Sequence, residues 1–378
     1  MTADRMNANR VVRLCRRLRG EWLLLVLLLL TLALAGVDPQ PLAAYRAWLD
    51  IPTVAALLAL LTAAEGVRAS GLVQRLARQW LRFVHGERAL VLLLLGVAAL
   101  TAMLLSNDIS LFLLMPLALA LTERIDLSRP RLVTLLALAV NAGSTLSPVG
   151  NPQNLLLWRH SGLSIPGFVA AMAPTALVLL ALLVLAVCCL FPSRRLQQVN
   201  APPQHTSWDG RLALGAPLLL LGVLLLLEAG LPMLAAGVAV SALGLLRWRV
   251  LLRVDWLLLL TIALMLVGLG HLAEWPWFRA GLAILDWRES ATAYWGAMAL
   301  SQLISNVPAT VALLHTGAEP RVLAMAVNVA GSGLAIGSLA NLIALRLGGE
   351  RGAWRCFHAI SLPYFALAAV LVWWLLPA

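Results

Sequence analysis

The sequence has little charge and no lysine. Only 12% of its 378 residues are charged and 61% are hydrophobic, whereas about a quarter of the residues in a soluble domain are charged. Apolar runs recur along the whole chain, so no stretch is left that could form a sizeable soluble domain. We therefore predict an all-α polytopic membrane protein, with the lipid bilayer as its surroundings.

Sequence signs of metal binding, disulfide bonding and catalysis are also missing. The four cysteines have neither metal-ligand spacing nor a disulfide pattern, and the six histidines are scattered. There is no HExxH motif, no GxSxG motif with a partner triad and no pair of intramembrane aspartates. We expect no enzyme and no cofactor, apart from Na⁺ as a coupling ion. Intramembrane catalysis stays open as an alternative that no motif supports.

All 28 basic residues are arginine, and the net charge is +11. In a soluble protein this charge would indicate nucleic-acid binding, but here most arginines lie in short loops between apolar runs, where they orient a membrane protein. We therefore expect no nucleic-acid partner.

A span needs about 20 apolar residues. We predict nine spans, near residues 21–37, 51–66, 131–158, 166–191, 211–229, 231–247, 254–272, 321–345 and 355–377.

Two further apolar stretches, 89–121 and 290–316, are each interrupted by a polar group. We interpret each as a re-entrant hairpin of two half-helices, whose tip must face protein or a watery cavity. With this topology 23 arginines lie inside and five outside. If each hairpin crossed the membrane, the loops between the hairpins would change sides and most of this bias would be lost.

The same count places the N-terminus, including the Arg-rich segment 1–20, in the cytoplasm and the C-terminus outside, as in a bacterial inner membrane protein. Amphipathic segments 68–85 and 274–288 precede the hairpins and are expected to lie on the inner and outer surfaces. Residues 33–35 also resemble a signal-peptide cleavage site, but the repeat described next requires the first span to be retained.

Two segments repeat without gaps. Asn141, Gly150, Asn154 and Arg159 align with Asn328, Gly337, Asn341 and Arg346. Arg159 is expected outside and Arg346 inside, so the repeat is inverted, as is common in secondary transporters. The predicted units are 21–191 (hairpin 89–121, broken helix 131–158) and 231–378 (hairpin 290–316, broken helix 321–345). Residues 192–230 supply a loop and a linker span.

Gly, Ser, Pro and Asn clusters in these segments cannot hold an unbroken helix. Broken helices expose N–H groups at the N-termini of their half-helices, and Asn and Ser add neutral donors and acceptors, which suits an anion and a small cation. The alternative is a glycine-kinked packing helix, because Gly333 and Gly337 also have helix-contact spacing. The candidate substrate- and ion-binding residues are Ser106, Asn107, Asp108, Asn141, Gly143, Ser144, Asn151, Asn154, Ser305, Asn306, Asn328, Gly331, Ser338 and Asn341.

Asp108 is the one ionisable residue expected deep in the membrane. It could bind a proton or cation coupled to transport, or it could simply cap the second half-helix of its hairpin. The second hairpin has Val307 at this position, so either role would be asymmetric.

With the motifs Ser106-Asn107-Asp108, Gly150–Asn154, Ser305–Pro308 and Gly337–Asn341 identified, the chain resembles the ion transporter superfamily, which includes divalent anion/sodium symporters, citrate carriers and arsenical pump membrane proteins. The resemblance implies transport of a small anion coupled to sodium or protons, with an elevator movement against a homodimeric scaffold. It also implies that Ser106, Asn107, Ser305 and Asn306 contact substrate and ion. Asp108 and Val307 replace the threonine of the dicarboxylate branch, and a cation/proton antiporter using Asp108 is the second hypothesis.

Overall fold

The computed structural model describes residues 22–196, 209–314, 316–349 and 352–376. In these ranges the chain forms eighteen α-helices and one short 3-10 helix, and it contains no β-strand, only isolated bridge residues such as Gly86 and Arg195, which pair with each other. The expected all-α class is therefore confirmed. The predicted segment 1–20 and residues 197–208 of the predicted loop lie outside the described residues.

Nine helices make up the first part of the chain, before the linker. Several begin with proline in their first turn, where the missing N–H has no helical partner to lose. The helices are α1 (Trp22–Val37), α2 (Leu42–Leu49), α3 (Ile51–Ala69), α4 (Leu72–Phe83), α5 (Glu87–Leu104), α6 (Asn107–Thr122), α7 (Arg129–Ser144), α8 (Pro152–Ser161) and α9 (Ile165–Leu190).

The other nine helices begin with the linker helix, α10. They are α10 (Gly210–Glu228), α11 (Pro232–Leu251), α12 (Trp256–Glu274), α13 (Pro276–Ala283), α14 (Ser290–Ile304), α15 (Asn306–Leu313), α16 (Pro320–Ala330), α17 (Leu339–Gly348) and α18 (Ala353–Trp373), with the 3-10 turn Ala335–Gly337 before α17.

Seven of the described helices are long and apolar enough to cross a membrane. The discontinuous helices α7/α8 and α16/α17 are not among them, because each piece is too short, and α1 has only 16 residues. By its length alone, α5 could also cross the membrane, although it forms the first arm of the first predicted hairpin. The seven helices are α3, α5, α9, α10, α11, α12 and α18.

Three features differ from the sequence-based expectations. Residues Leu42–Leu49 form a helix that was not predicted, with no buried side chain. The outer amphipathic segment is helical only over Pro276–Ala283, because Pro276 starts the helix and polar residues follow it. In α11 the backbone is non-helical at Arg247, which kinks the helix.

The helices pack in two groups. In one group α3 packs against α10 and α11, and α1 packs against α12. In the other, α7 packs against α5, α6, α17 and α18, while α8 contacts α15 and α16. The two discontinuous helices and the two interrupted hairpins therefore lie together, and the two longest buried apolar runs of the described chain lie among them, Leu135–Val140 in α7 and Val322–Val327 in α16.

Ion pairs join loops that are distant in sequence. Arg194 lies 2.6 Å from Glu87, the first residue of α5, and 3.8 Å from Asp126, just after α6. Arg247 lies 2.7 Å from Asp209, and this contact lowers the pKa of the Asp209 carboxyl. The Arg194 guanidinium thus holds the start of α5 close to the end of α6. The two helices therefore run antiparallel, and α6 ends near the level at which α5 begins.

Candidate functional site

The break between α7 and α8 is closed by the side chain of Asn154. Its amide nitrogen donates hydrogen bonds to the carbonyls of Ser144, Thr145 and Ser147, at 3.1 to 3.2 Å. Asn151 caps α8, since its side-chain oxygen accepts from the backbone N–H of Asn154 at 2.9 Å. These bonds satisfy carbonyls that the end of α7 leaves without helical partners.

The break between α16 and α17 is closed in the same manner by Asn341. Its amide nitrogen donates to the carbonyls of Gly331, at 2.8 Å, and Leu334, at 3.3 Å. Gly331 and Leu334 follow Ser144 and Ser147 by the same 187 residues that separate Asn341 from Asn154. The aligned segments therefore adopt equivalent hydrogen bonding around equivalent asparagines.

Four asparagines also join the two breaks to each other. The amide of Asn141 donates to the side-chain oxygen of Asn341 at 2.9 Å, and Asn328 donates to the side-chain oxygen of Asn154 at 2.6 Å. Each bond is the repeat-equivalent of the other. All four side chains are at most 5% exposed, so this reciprocal set, the asparagine clasp, is an interior polar network.

Two more hydrogen bonds extend the asparagine clasp to the starts of α8 and α17. Asn151 donates to the side-chain oxygen of Asn328 at 2.9 Å, while Ser338 donates to that of Asn141 at 3.2 Å. Asn151 and Ser338 are again equivalent positions. The residues that precede both half-helices are thus fastened to the opposite repeat.

The first hairpin tip touches this network directly. The Asn107 amide donates to the side-chain oxygen of Asn141 at 3.3 Å, and its backbone N–H donates to the carbonyl of Gly150 at 2.9 Å. Asn107 is buried, as expected for a tip that meets the break between α7 and α8.

Asp108 does not cap α6, so that interpretation is wrong. The cap is Ser106, whose hydroxyl oxygen accepts from the backbone N–H of Ile109 at 3.2 Å. Ser106 has the extended backbone of an N-cap, whereas Asp108 already lies in the first turn. One Asp108 carboxylate oxygen, Oδ1, is shielded from solvent and has no hydrogen-bond partner among the described residues.

The second tip is built differently. Ser305 precedes α15 with φ of 71° and ψ of 156°, a region that residues with a Cβ rarely adopt. Its hydroxyl caps no backbone N–H. Asn306 is buried, and its amide nitrogen lies 3.4 Å from the point where a Cβ of Gly331 would stand. A strained, buried serine at a helix start is typical of binding sites.

The helices α6, α8, α15 and α17 all begin at this centre. Their first residues or caps, Asn107, Asn151, Asn306 and Ser338, are linked through the asparagine clasp or lie against Gly331. Each helix N-terminus carries a partial positive charge. The centre therefore combines four positive helix ends with neutral amide and hydroxyl groups, and Asp108 is its one acid among the described residues.

Gly143 and Ser144, two of the predicted site residues, have packing and hydrogen-bonding roles in this structure. A Cβ on Gly143 would overlap the backbone carbonyl of Ala99, so glycine lets α7 touch α5. Ser144 is buried; its hydroxyl accepts from Asn151 and donates to the carbonyl of Asn141. Gly333 and Gly337 lie in the break between α16 and α17, so their spacing does not mark a helix contact.

Sequence reasoning missed Gln302, in the last turn of α14. Its amide nitrogen donates to the carbonyl of Ala330 at 2.8 Å, and its side-chain oxygen accepts from the backbone N–H of Leu334 at 2.6 Å. A lone glutamine in an apolar hairpin was the available signal. His358 and Ser361 of α18 also bond this loop, at Ala335 and Gly333.

Within the described ranges, no three His, Cys, Asp or Glu side chains come together as a metal site would require. The centre offers amide, hydroxyl and carbonyl oxygens, which are the ligands that hard cations prefer. A small monovalent ion therefore fits its chemistry better than a transition metal.

Comparison with known proteins identifies related sequences over most of the chain. A family model described as citrate transporter matches residues 18–327. The inner membrane protein YbiR of Escherichia coli is 38% identical over 356 residues, covering 94% of this chain and 95% of the relative. An uncharacterized transporter of Methanocaldococcus jannaschii, MJ0456, is 27% identical over 71% of this chain and 73% of its own length. The silicon efflux transporter LSI3 of rice is 27% identical over 38% of this chain and 30% of its own.

Proposed function

Because this chain belongs to the citrate transporter family, it is a membrane transporter and not an enzyme, and we propose that it carries a small anion by secondary active transport coupled to sodium or protons. The observation that carries this proposal is the meeting of four helix N-termini at one buried centre. Such ends attract anions through their dipoles; at α6 the dipole acts alone, because its first three N–H groups are bonded to Gly150, Asn107 and Ser106.

The substrate and ion contacts are assigned to the two hairpin tips. Ser106, Asn107 and Asp108 supply one tip, and Ser305 and Asn306 supply the other. The asparagines of the broken helices already use their amides within the protein. We therefore propose that Asn141, Asn154, Asn328 and Asn341, with Gly143, Ser144, Asn151, Gly331 and Ser338, form the rigid wall behind the tips.

An inverted repeat of nine spans and two re-entrant hairpins is the proposed topology. The reciprocal asparagine bonds at a constant separation of 187 residues support the repeat. The link of Arg194 to both Glu87 and Asp126 supports a first hairpin that enters and leaves on one side. We propose a bacterial inner membrane location, as the name of the relative YbiR suggests, with the N-terminus in the cytoplasm and the C-terminus outside.

The two packing groups support an elevator movement. The hairpins and broken helices pack together with α9 and α18, and they contact the other group chiefly where α6 meets α3 and α15 meets α12. A rigid body that carries both tips could therefore slide along the other group with the substrate bound. That the second group also forms a homodimer interface is proposed from the family resemblance.

Transport into proteoliposomes tests the proposed function. The purified protein is reconstituted, and uptake of labelled citrate, phosphate or silicic acid is measured with imposed sodium or proton gradients. We expect gradient-driven uptake of one anion, and loss of its binding in Asn107→Ala and Asn306→Ala. Gln79→Ala, an exposed change on α4, is the matched control. Unchanged anion binding in both tip variants would refute the central site.

A cation/proton antiporter is the second candidate, because Asp108 Oδ1 is buried and no described residue bonds to it. An intramembrane carboxylate in this state is costly unless it binds a proton or cation during the cycle. Asp108→Asn is expected to abolish coupling to the proton gradient, whichever solute moves. Cation-dependent proton efflux without anion transport would favour the antiporter, and an unchanged pH dependence in Asp108→Asn would reject proton coupling.

A further inference from the structure

A cavity of about 730 Å³ opens on one side of the molecule, away from the asparagine clasp. It lies between the two packing groups: α1, α3 and the turn between α11 and α12 line one side, and α6 and α17 line the other. Its walls are largely apolar and include the side chains of Leu61, Phe112, Met115 and Leu119. Its charged residues belong to segments that the arginine distribution assigns to the cytoplasmic side.

The charges that line the cavity do not cancel. Glu65 is paired with Arg68 at 2.8 Å, and Asp255 is paired with Arg346 at 2.8 Å. Arg253 is the fifth charged lining residue and is exposed; its side chain forms no hydrogen bond or close ion pair with another described residue, although its charge also acts on Glu65. One guanidinium therefore remains to act on a mobile ion.

The wall of α6 leads from this cavity toward the first hairpin tip. Phe112, Met115 and Leu119 line the cavity and lie on one face of α6, at positions three and four residues apart. Asp108 lies one turn before Phe112 on the same face. A solute that follows this face inward from Arg253 therefore approaches the tip of Ser106, Asn107 and Asp108.

We infer that this cavity is an anion-collecting vestibule, in which Arg253 binds small carboxylate or oxyanion solutes weakly before they reach the hairpin tips. The inference rests on the proposed anion transport and adds a named residue on the substrate path. Clefts with low-dielectric walls and an excess of one charge focus the field and raise the local concentration of counter-ions, and the lining of this cavity has one positive charge in excess. A planar guanidinium that forms no side-chain hydrogen bond is well suited to carboxylates and phosphates.

The local potential is measured first, independently of any transport. In a variant with all four native cysteines replaced, Leu119→Cys is reacted with an anionic and a cationic methanethiosulfonate reagent. We expect Arg253→Gln to lower the ratio of anionic to cationic reaction rates by roughly threefold or more, because both rates respond to the lost charge in opposite directions. Leu347→Cys, on α17 at the same side of the cavity, gives a second reading if Leu119→Cys does not fold.

Arg249→Gln is the matched control. It removes the same charge from the same region, but Arg249 lies over the ring of Trp248 and does not line the cavity. The vestibule proposal would be wrong if Arg249→Gln and Arg253→Gln changed the ratio of reaction rates equally. It would also be wrong if neither variant changed that ratio at either cysteine position. Salt should reduce the effect of Arg253→Gln, since added ions screen a solvent-filled cavity.

Citrate transport from the cytoplasmic face supplies the functional arm. Arg253→Gln is expected to raise KM several-fold at low ionic strength with kcat unchanged, and the difference should shrink at high salt. Wild-type protein that moves no anion would reject the proposed function, whereas wild-type transport with an unchanged KM in Arg253→Gln would reject the vestibule alone.

Discussion

At the scale of single residues, the asparagines divide into two kinds. Asn141, Asn154, Asn328 and Asn341 are buried and use their amides on loop carbonyls or on each other. Asn107 and Asn306 lie at helix starts beside this network. Each amide of the first kind donates two or three hydrogen bonds, whereas the Asn107 amide donates one long bond, to Asn141. Since redirecting a bonded buried amide costs free energy, we propose that the first kind positions the breaks and the second kind binds a ligand.

Replacing Asn154 with alanine should destabilise the protein by about 2–4 kcal/mol, because three loop carbonyls and the Asn328 amide lose a buried partner. Asn341→Ala should have a similar effect, since its bonds are equivalent. Thermal unfolding in detergent measures both, with Gln79→Ala as the exposed control. Full stability in both variants, combined with lost anion binding, would instead make these residues ligands.

Ser305 offers a test of backbone strain. Its positive φ costs about 1–3 kcal/mol for a residue with a Cβ, whereas glycine adopts this conformation freely. Ser305→Gly should therefore keep or raise the unfolding temperature while reducing anion or ion binding through loss of the hydroxyl. The control is Ser106→Gly at the other tip, where φ is −164° and the lost cap should lower stability. Lower stability of Ser305→Gly than of Ser106→Gly would contradict the strain.

At the scale of elements, close helix contacts fix how deeply each hairpin arm packs against its discontinuous helix. Gly143 is in α7, where any side chain would meet the backbone carbonyl of Ala99 in α5. In the second half of the chain, α14 contacts the break after α16 through Gln302. The side chain of Gln302 fills the space beside Gly333 and Gly337. The two halves thus achieve similar packing with different residues.

Gly143→Ala should destabilise the protein by about 1–3 kcal/mol, because the backbones of α5 and α7 must separate. Gly96→Ala in α5 is the matched control: nothing lies within 4 Å of its Cβ position, so better helix propensity should stabilise it by about 0.5–1 kcal/mol. Unfolding temperatures that move in the same direction for both variants would contradict the close contact.

At the scale of the whole molecule, the ion pairs agree with the distribution of arginine. Arg194 joins the start of α5 to the end of α6, Arg346 joins the end of α17 to the start of α12, and Arg247 joins the start of α10 to the end of α11. In each case the partners belong to segments that the positive-inside rule assigns to one face.

Cysteine labelling in intact cells tests this topology. Asp126→Cys, after the first hairpin, should react from the same side as Arg75→Cys and from the side opposite to Arg46→Cys. Glu319→Cys, after the second hairpin, should react together with Arg46→Cys. An impermeant thiol reagent distinguishes the sides, in a background without the native cysteines. Labelling of Asp126→Cys from outside would mean that α5 and α6 cross the membrane separately.

The sequence by itself determined the all-α membrane class, the positions of the four helix breaks and the pairing of the two asparagine segments. These depend on local rules: apolar length, arginine position, and the inability of Gly, Pro and Asn clusters to continue a helix. Membership of a transporter family follows from the same motifs and is supported across residues 18–327.

Only the tertiary structure decided which groups meet. It paired Asn141 with Asn341 and Asn328 with Asn154, assigned the cap of α6 to Ser106, and left Asp108 Oδ1 without a partner in the described part of the chain. It also brought Arg253 to a cavity formed by helices from both halves. Such contacts join residues up to 200 positions apart, and no local pattern encodes which of several equivalent amides or guanidinium groups will find a partner.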